Sequence, residues 1–411
     1  MGWKIGIVVI VTIVYLYELF LTRLALRSEH NPIPPCVSDV YDADTYRTRQ
    51  RYSAEKNRLK MLRSTVVFAV DLALLLSNAY AAFAGVFPKD AWMQMFAVLL
   101  LNIVSTVVEL PFSYYDTMHI EEKYGFNRTD RKTFVVDSIK EFVLQFLLIV
   151  GLGSMVFGMH QSFGDWLILV FAVFATLFVL FISFLYPFFS RIFNKFTPLE
   201  DGELKEKLTA LLEKNGYHVR AIHVMDASRR SSKANAYFAG FGKMKTIVLY
   251  DTLLEAMTTD EICAVFAHEM GHGLHKDTLK THILSFAQML ILGTLAWLTL
   301  RTPALFKAFG FSEVNYGFAL ILIMSAEFAL IQPLFGLLSN AFSRRAEYRA
   351  DAHAVQEGYG EELISGLKKL ARANYGDLSP SPLLVALEYS HPTLAQRIEA
   401  IRAKEAKDSA A

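Results

Sequence analysis

Residues 166–189 read WLILVFAVFATLFVLFISFLYPFF, 24 positions without a charge. As an α-helix such a run is ~36 Å long, enough to cross a hydrocarbon core ~30 Å thick. It is read as a transmembrane span. Comparable apolar runs lie at 5–17, 64–87, 91–108, 142–159, 283–300 and 316–342. The chain is therefore expected to be a mainly α, polytopic membrane protein with seven transmembrane helices. The 5–17 run needs its flanks to reach full length. Glu18, Arg23 and Arg27 end it with no small-residue cleavage site, so it reads as a retained span rather than a signal peptide. Composition agrees: 53% of the 411 residues are hydrophobic and 13% aromatic, too apolar for an ordinary soluble enzyme. The net charge of +1 arises from acids and bases mixed along the chain, and no nucleic-acid partner is expected.

Basic residues are unequally distributed between the connecting segments. The N-terminus and the second, fourth and sixth connections hold only Lys4, Lys89, Arg301 and Lys307. The alternate connections and the C-terminal tail hold nearly all the rest, which assigns them to the cytoplasm. Cys36 and Cys263 form no CxxC pair, so neither a disulfide framework nor a thiolate metal site is indicated.

The long polar region after the fifth span reads as helix, strand, hairpin, strand, helix. Residues 204–215 have helical spacing and stop at Gly216; 221–225 form a short strand; 235–242 are punctuated by glycine; 246–250 are β-branched and apolar. TTDE (258–261) is a capping box, and the helix it opens carries AVFAHEMGHGLH (264–275). His268 and His272, four residues apart, project from one face and can hold one ion. In a helical His-Glu-x-x-His site the imidazoles bind zinc, and the glutamate, here Glu269, takes a proton from the water that attacks the amide. A third, oxygen ligand is available in SRRAEYRAD (343–351). Glu347 and Asp351 share a helical face there, so one carboxylate can bind zinc while the other orients a liganding imidazole. Taken alone, that stretch also reads as a solvated charged face. His275, like His218, His223, His282 and His353, is assigned no ligand role, since three protein ligands already complete a catalytic site. Asn235 reads as a hairpin residue and His391, before Pro392, as a loop residue.

These features resemble the type I CAAX prenyl proteases, integral-membrane zinc endopeptidases that mature the yeast a-factor pheromone and prelamin A. PFSYYD (111–116), EEKYGFNR (121–128), FNKFTPLE (193–200), RSSKANAYF (230–238), the His268–His272 motif, Glu347 to Asp351 and SHP (390–392) carry the resemblance through most of the chain. It implies one zinc held by His268, His272 and Glu347, with Asp351 behind a ligand, Glu269 as general base, and Asn235 and His391 as catalytic-site residues beside the scissile bond. A substrate peptide pairing with a strand that includes Asn235, Ala236 and Gly240 would lay its amide across the metal. The resemblance also implies that the seven helices form a barrel around a water-filled chamber. Asp71, Glu327, Asn78, Asn102, Gln145 and Gln332 lie within the apolar runs and suit such an interior.

The expected organisation is an N-terminal membrane region with five spans (1–190), a cytoplasmic-side zincin-like metalloprotease region with a small β-sheet (191–282), two further spans (283–342) and a C-terminal part of the protease domain bearing the third ligand (343–411). The expected partners are a peptide or prenylated protein C-terminus as substrate, from which the aaX tripeptide is removed with a second upstream cleavage, and membrane lipid. The chain is expected to act as a monomer. The family resides in the endoplasmic reticulum membrane of eukaryotes or the inner membrane of bacteria, with the active site on the cytoplasmic side. The alternatives are a membrane quality-control protease resembling HtpX and a non-catalytic, zinc-stabilised channel or transporter. Seven spans and the 112–128 block argue against the first, and Glu269, unneeded by a scaffold, against the second.

Overall fold

The computed structural model describes residues 2–216, 218–233, 235–239, 244–275 and 277–410. Five helical segments are long and apolar enough to cross a bilayer: Gly2–Ser28, Ala91–Glu121, Arg131–Phe163, Leu279–Leu300 and Tyr316–Gln356. Each contains one of the expected runs. Their outward side chains, such as Leu147 at 61% exposure and Leu334 at 64%, are apolar because lipid rather than protein is their solvent. The protein is an integral, multi-pass membrane protein.

The two remaining runs behave differently. Residues 64–76 are the apolar end of a helix, Ala43–Leu76, whose last 18 residues also hold Lys60, Arg63 and Asp71. That helix stops where Asn78 takes a left-handed conformation (φ 58°), and the short helix Ala79–Ala84 follows. Of residues 166–189, all but Trp166, which ends the 3-10 turn Gly164–Trp166, fall in helix Leu167–Phe193, with Leu169–Phe181 a shorter apolar stretch.

The 41-residue segment Tyr316–Gln356 is ~60 Å long, about twice the hydrocarbon thickness. Its far end therefore leaves the membrane and enters the polar part of the chain as a long helical rod, carrying Glu347 and Asp351, after a π-helical turn at Ile323–Glu327 and Pro333. The polar part holds a four-stranded sheet in the order β1 (Phe196–Pro198), β2 (His218–Met225), β4 (Met244–Tyr250), β3 (Ala236–Ala239). Strands β2 and β4 are parallel; β1 and β3 pair antiparallel at the two edges. Ile247 and Leu249 of β4 are fully buried in a core shared with Ile262, Phe266 and Met270 of helix Thr259–Leu274. The sheet thus forms a firm floor for the helix that carries the histidines.

A cavity of about 750 Å³ lies among the membrane helices, lined by Tyr17, Lys60, Arg63, Asp71, Glu109 and Glu388 among others. Within the apolar runs, Asp71 accepts a hydrogen bond from Ser105 (2.7 Å), Glu327 one from Thr299 (2.8 Å), and Gln288 donates to Gln332 (3.0 Å).

Candidate active site

Helix Thr259–Leu274 begins at a complete capping box: Thr258 Oγ1 accepts from the Glu261 N–H (3.3 Å) and Glu261 Oε2 accepts from the Thr258 N–H (2.8 Å). Lys369 and Ser365 also donate to Glu261, each at 2.6 Å. Burial works against the Glu261 carboxylate, but these partners outweigh it and hold its pKa below the usual range. The helix start is fixed, and with it the azimuth of the histidines a few turns on.

Helix Thr259–Leu274 packs closely on the rod bearing Glu347. Gly271 makes this possible, since a Cβ there would lie 2.7 Å from Ala350 Cα and 3.1 Å from His353 Cβ. The approach brings His268 Nε2 within 3.5 Å of Glu347 Oε2 and His272 Nε2 within 3.2 Å of Glu347 Oε1. One donor atom from each of His268, His272 and Glu347 lies within 4.8 Å of the others, the only such cluster among the described residues.

The far side of each imidazole meets a carboxylate. His268 Nδ1 is 2.8 Å from Asp351 Oδ1, and His272 Nδ1 is 3.4 Å from Asp277 Oδ2. A carboxylate at Nδ1 favours the tautomer whose Nε2 lone pair is free for a metal. Asp351 is gripped in turn by Arg397, which donates from Nε (2.9 Å) and Nη2 (2.6 Å), while Nη1 lies 3.3 Å from Glu347 Oε2. Burial opposes the charge of Arg397, yet the carboxylates of Asp351 and Glu347 more than offset it and hold its pKa above the ordinary value. Arg349 donates to Asp277 at 2.7 Å. Burial would raise the Asp277 pKa, but Arg349 and His272 outweigh it and keep it low.

The donor set of two imidazoles and one carboxylate suits zinc with an open coordination position. Glu347 Oε2 is buried and makes no hydrogen bond, although His268 Nε2 and Arg397 Nη1 lie within 3.5 Å, so a carboxylate lone pair remains for a cation. The residues fit the metal that their pattern implies.

Glu269 is half-buried on the same helix and makes no hydrogen bond among the described residues. His391 reaches the cluster from a loop, with Nε2 3.3 Å from Glu347 Oε1 and Nδ1 2.9 Å from Ser390 Oγ. Arg344 steadies the approach to that loop by donating to the carbonyls of Val385 (3.1 Å) and Tyr389 (2.7 Å). Asn235 stands exposed at the head of edge strand β3, its carbonyl accepting from the Tyr250 N–H (3.1 Å), and Ala236 pairs with Leu249. Gly240 lies outside the described residues. His275 is exposed at the helix end, its Nδ1 2.8 Å from the Gly271 carbonyl.

Asp277 and Arg397 escaped the reading of the sequence. Asp277 lies five positions after His272, off the face a continuous helix would share with it, and opens the next helix, Asp277–Leu300. Arg397 shares helix Leu394–Ser409 with Arg402, Lys404 and Lys407 and looks like one more solvated base. Its 9% exposure distinguishes it only once the fold is known.

Residues 22–195 match the family described as CAAX prenyl protease N-terminal, five membrane helices, and residues 198–405 match Peptidase family M48. CAAX prenyl protease 1 of Saccharomyces cerevisiae is 31% identical, the match covering 97% of this chain and 95% of the yeast protein. The CAAX prenyl protease 1 homolog of Arabidopsis thaliana is 32% identical over 96% of each chain, and that of Homo sapiens 28% identical over 95% of this chain and 93% of its own. The crystal structure of S. mikatae Ste24p superposes with a TM-score of 0.89 at 29% identity, covering 98% of this chain and 99% of that one.

Proposed function

Because this chain belongs to peptidase family M48 and joins that peptidase domain to the membrane domain of the CAAX prenyl proteases, we propose that it uses one zinc ion, held by His268, His272 and Glu347, to remove the aaX tripeptide from prenylated protein C-termini. It is a membrane metalloprotease of the CAAX prenyl protease type. The observation that carries the residue assignment is the convergence of three donor atoms within 4.8 Å, each imidazole backed by a carboxylate.

Zinc bound there supplies Lewis acidity, acidifying a water molecule and polarising the scissile carbonyl. Glu269, adjacent to a ligand without being needed as one, takes the proton of the attacking water and delivers it to the departing amine. Asp351 and Asp277 fix the two imidazoles, and Arg397 balances the carboxylate charge behind them. His391, on a loop over Glu347, is suited to donate toward the oxygen that becomes negative as the carbonyl is attacked. The substrate lies along edge strand β3, whose outer side meets no other strand among the described residues, so that the backbone of Asn235 and Ala236 aligns it, with Gly240 following in sequence outside the described residues.

The runs at 64–87 and 166–189 complete a seven-helix barrel in this reading, and the polar-lined cavity among the membrane helices supports a hydrated interior. The tract 1–190 forms its N-terminal wall, 191–282 and 343–411 the peptidase domain, and 283–342 the last two staves. The basic connections lie on the side of the peptidase domain, which favours a cytoplasmic active site. All the assigned ligands come from one chain, as a monomeric enzyme requires. Purified protein incubated with a farnesylated CAAX peptide, with and without a chelator, tests the function by mass spectrometry of the products. The released tripeptide and its loss on chelation are expected. A protein that retains its metal yet cuts neither prenylated nor unprenylated peptide would instead be a zinc-stabilised scaffold.

A further inference from the structure

The blocks EEKYGFNR (121–128) and RSSKANAYF (230–238) are about a hundred residues apart, and neither supplies a member of the metal-ligand cluster. The fold sets them side by side. The Arg128 N–H donates to the Arg230 carbonyl (3.1 Å), the Ser232 N–H donates to the Phe126 carbonyl (3.2 Å), and Asn127 bridges Ser231 in antiparallel sense. Lys233, the next residue, sends its ammonium across this junction to within 3.2 Å of Glu121 Oε2 and 3.3 Å of the Tyr52 hydroxyl, over the face of Phe126 at 4.8 Å. Glu121 is itself held by Lys56 and Tyr52, both donating at 2.7 Å. The backbone of Lys233 is tied to the peptidase side, since its carbonyl accepts from Thr252 Oγ1 at 2.9 Å. Three residues later the chain enters edge strand β3.

We propose that Lys233 and Glu121 are positioning residues for peptide cleavage: their ion pair locks the start of β3 in register, so that a substrate strand laid along it presents the right amide to the metal-ligand cluster. The inference rests on the proposed pairing of substrate with β3. Register matters there because a slip of one residue turns every side chain of a strand to its other face. The pair is also separable from the fold. Lys56 and Tyr52 still satisfy Glu121 when Lys233 loses its charge, and a methionine keeps the apolar stem over Phe126.

The test compares Lys233→Met, Glu121→Gln, the double variant and Lys233→Arg in cleavage of a farnesylated CAAX peptide, alongside metal content and melting temperature. Lys233→Met and Glu121→Gln should each lower kcat/KM about tenfold, chiefly through KM, with metal content unchanged in both. Melting temperature should be unchanged in Lys233→Met, while Glu121→Gln, which also weakens the Lys56 pair, stays folded but melts lower. Lys233→Arg should restore the rate to within about threefold, and the double variant should be no worse than the worse single one, because both remove one interaction. Wild-type kinetics in both single variants, effects that multiply, or loss of metal or fold would each overturn the proposal. A peptide N-methylated at alternate amides separates the two readings. If wild type binds it as well as the parent peptide, strand pairing is wrong and the positioning role falls with it. If N-methylation weakens binding to wild type while the variants match wild type on both peptides, the positioning role alone is wrong.

Discussion

Gly271→Ala is the substitution whose outcome the geometry fixes most tightly. The added Cβ would sit 2.7 Å from Ala350 Cα, 0.7 Å short of the 3.4 Å at which ordinary contact begins, and also 3.2 Å from the Ala350 carbonyl oxygen. The nearest obstacle is backbone, which cannot rotate away as a side chain would. Overpacking of this kind costs ~1–3 kcal/mol. Alanine's better helix propensity returns ~1 kcal/mol, so global stability should fall only modestly. The larger effect is on the metal cluster. Moving the rod away by most of 0.7 Å shifts Glu347 relative to both histidines, whereas zinc–ligand distances tolerate about ±0.2 Å. Metal affinity should fall by roughly the 10- to 100-fold seen when a supporting partner is lost, or more. The assay is zinc content after dialysis against a buffered free-zinc series, read with the melting temperature of the metal-free protein. A variant that binds zinc like wild type would show that the helix contact does not set the ligand spacing.

Asp351→Ala should be more damaging, because it removes the partner of His268 Nδ1 and leaves Arg397 buried beside Glu347 without its bidentate acceptor. Breaking a buried pair in this way costs ~3–5 kcal/mol, and a melting temperature within a degree of wild type would contradict it. Glu261→Gln should cost ~1 kcal/mol near neutrality through the weakened cap and its lost charge partners. The pKa of Glu261 is depressed in the folded chain, so its contribution is present above the unfolded value near 4.5 and lost as pH falls through the lower folded value. The melting-temperature gap between wild type and variant should therefore close on acidification, and a gap constant down to pH 3 would refute the assignment.

The parts of this protein legible in its sequence are those encoded locally. An uncharged run long enough for a bilayer, a capping box four residues wide, a β-branched apolar stretch and two histidines one turn apart need no knowledge of distant residues, and five spans, helix Thr259–Leu274 and strands β2 and β4 follow from them. The run 64–87 reads in sequence as one span, but the fold divides it at Asn78, and nothing in an apolar run announces that left-handed residue. The continuity of Tyr316–Gln356 was also hidden: the change from apolar to polar near residue 343 reads as a boundary, whereas the helix simply passes from lipid into the peptidase region. Arg397 and Asp351 meet across 46 residues, and nothing local marks that arginine for burial. Edge strand β1 depends wholly on its pairing with β2, so a three-residue segment without alternation could not announce it.

The central claim is that Glu269 moves the proton while His268, His272 and Glu347 hold the metal. Glu269→Gln tests it, because an amide of nearly the same size cannot accept a proton from water and is not required for the donor cluster. Cleavage of a farnesylated CAAX peptide by the purified variant should fall by ~10²- to 10⁴-fold, with zinc content and melting temperature equal to wild type. Cleavage at the wild-type rate by a zinc-loaded variant would contradict the account.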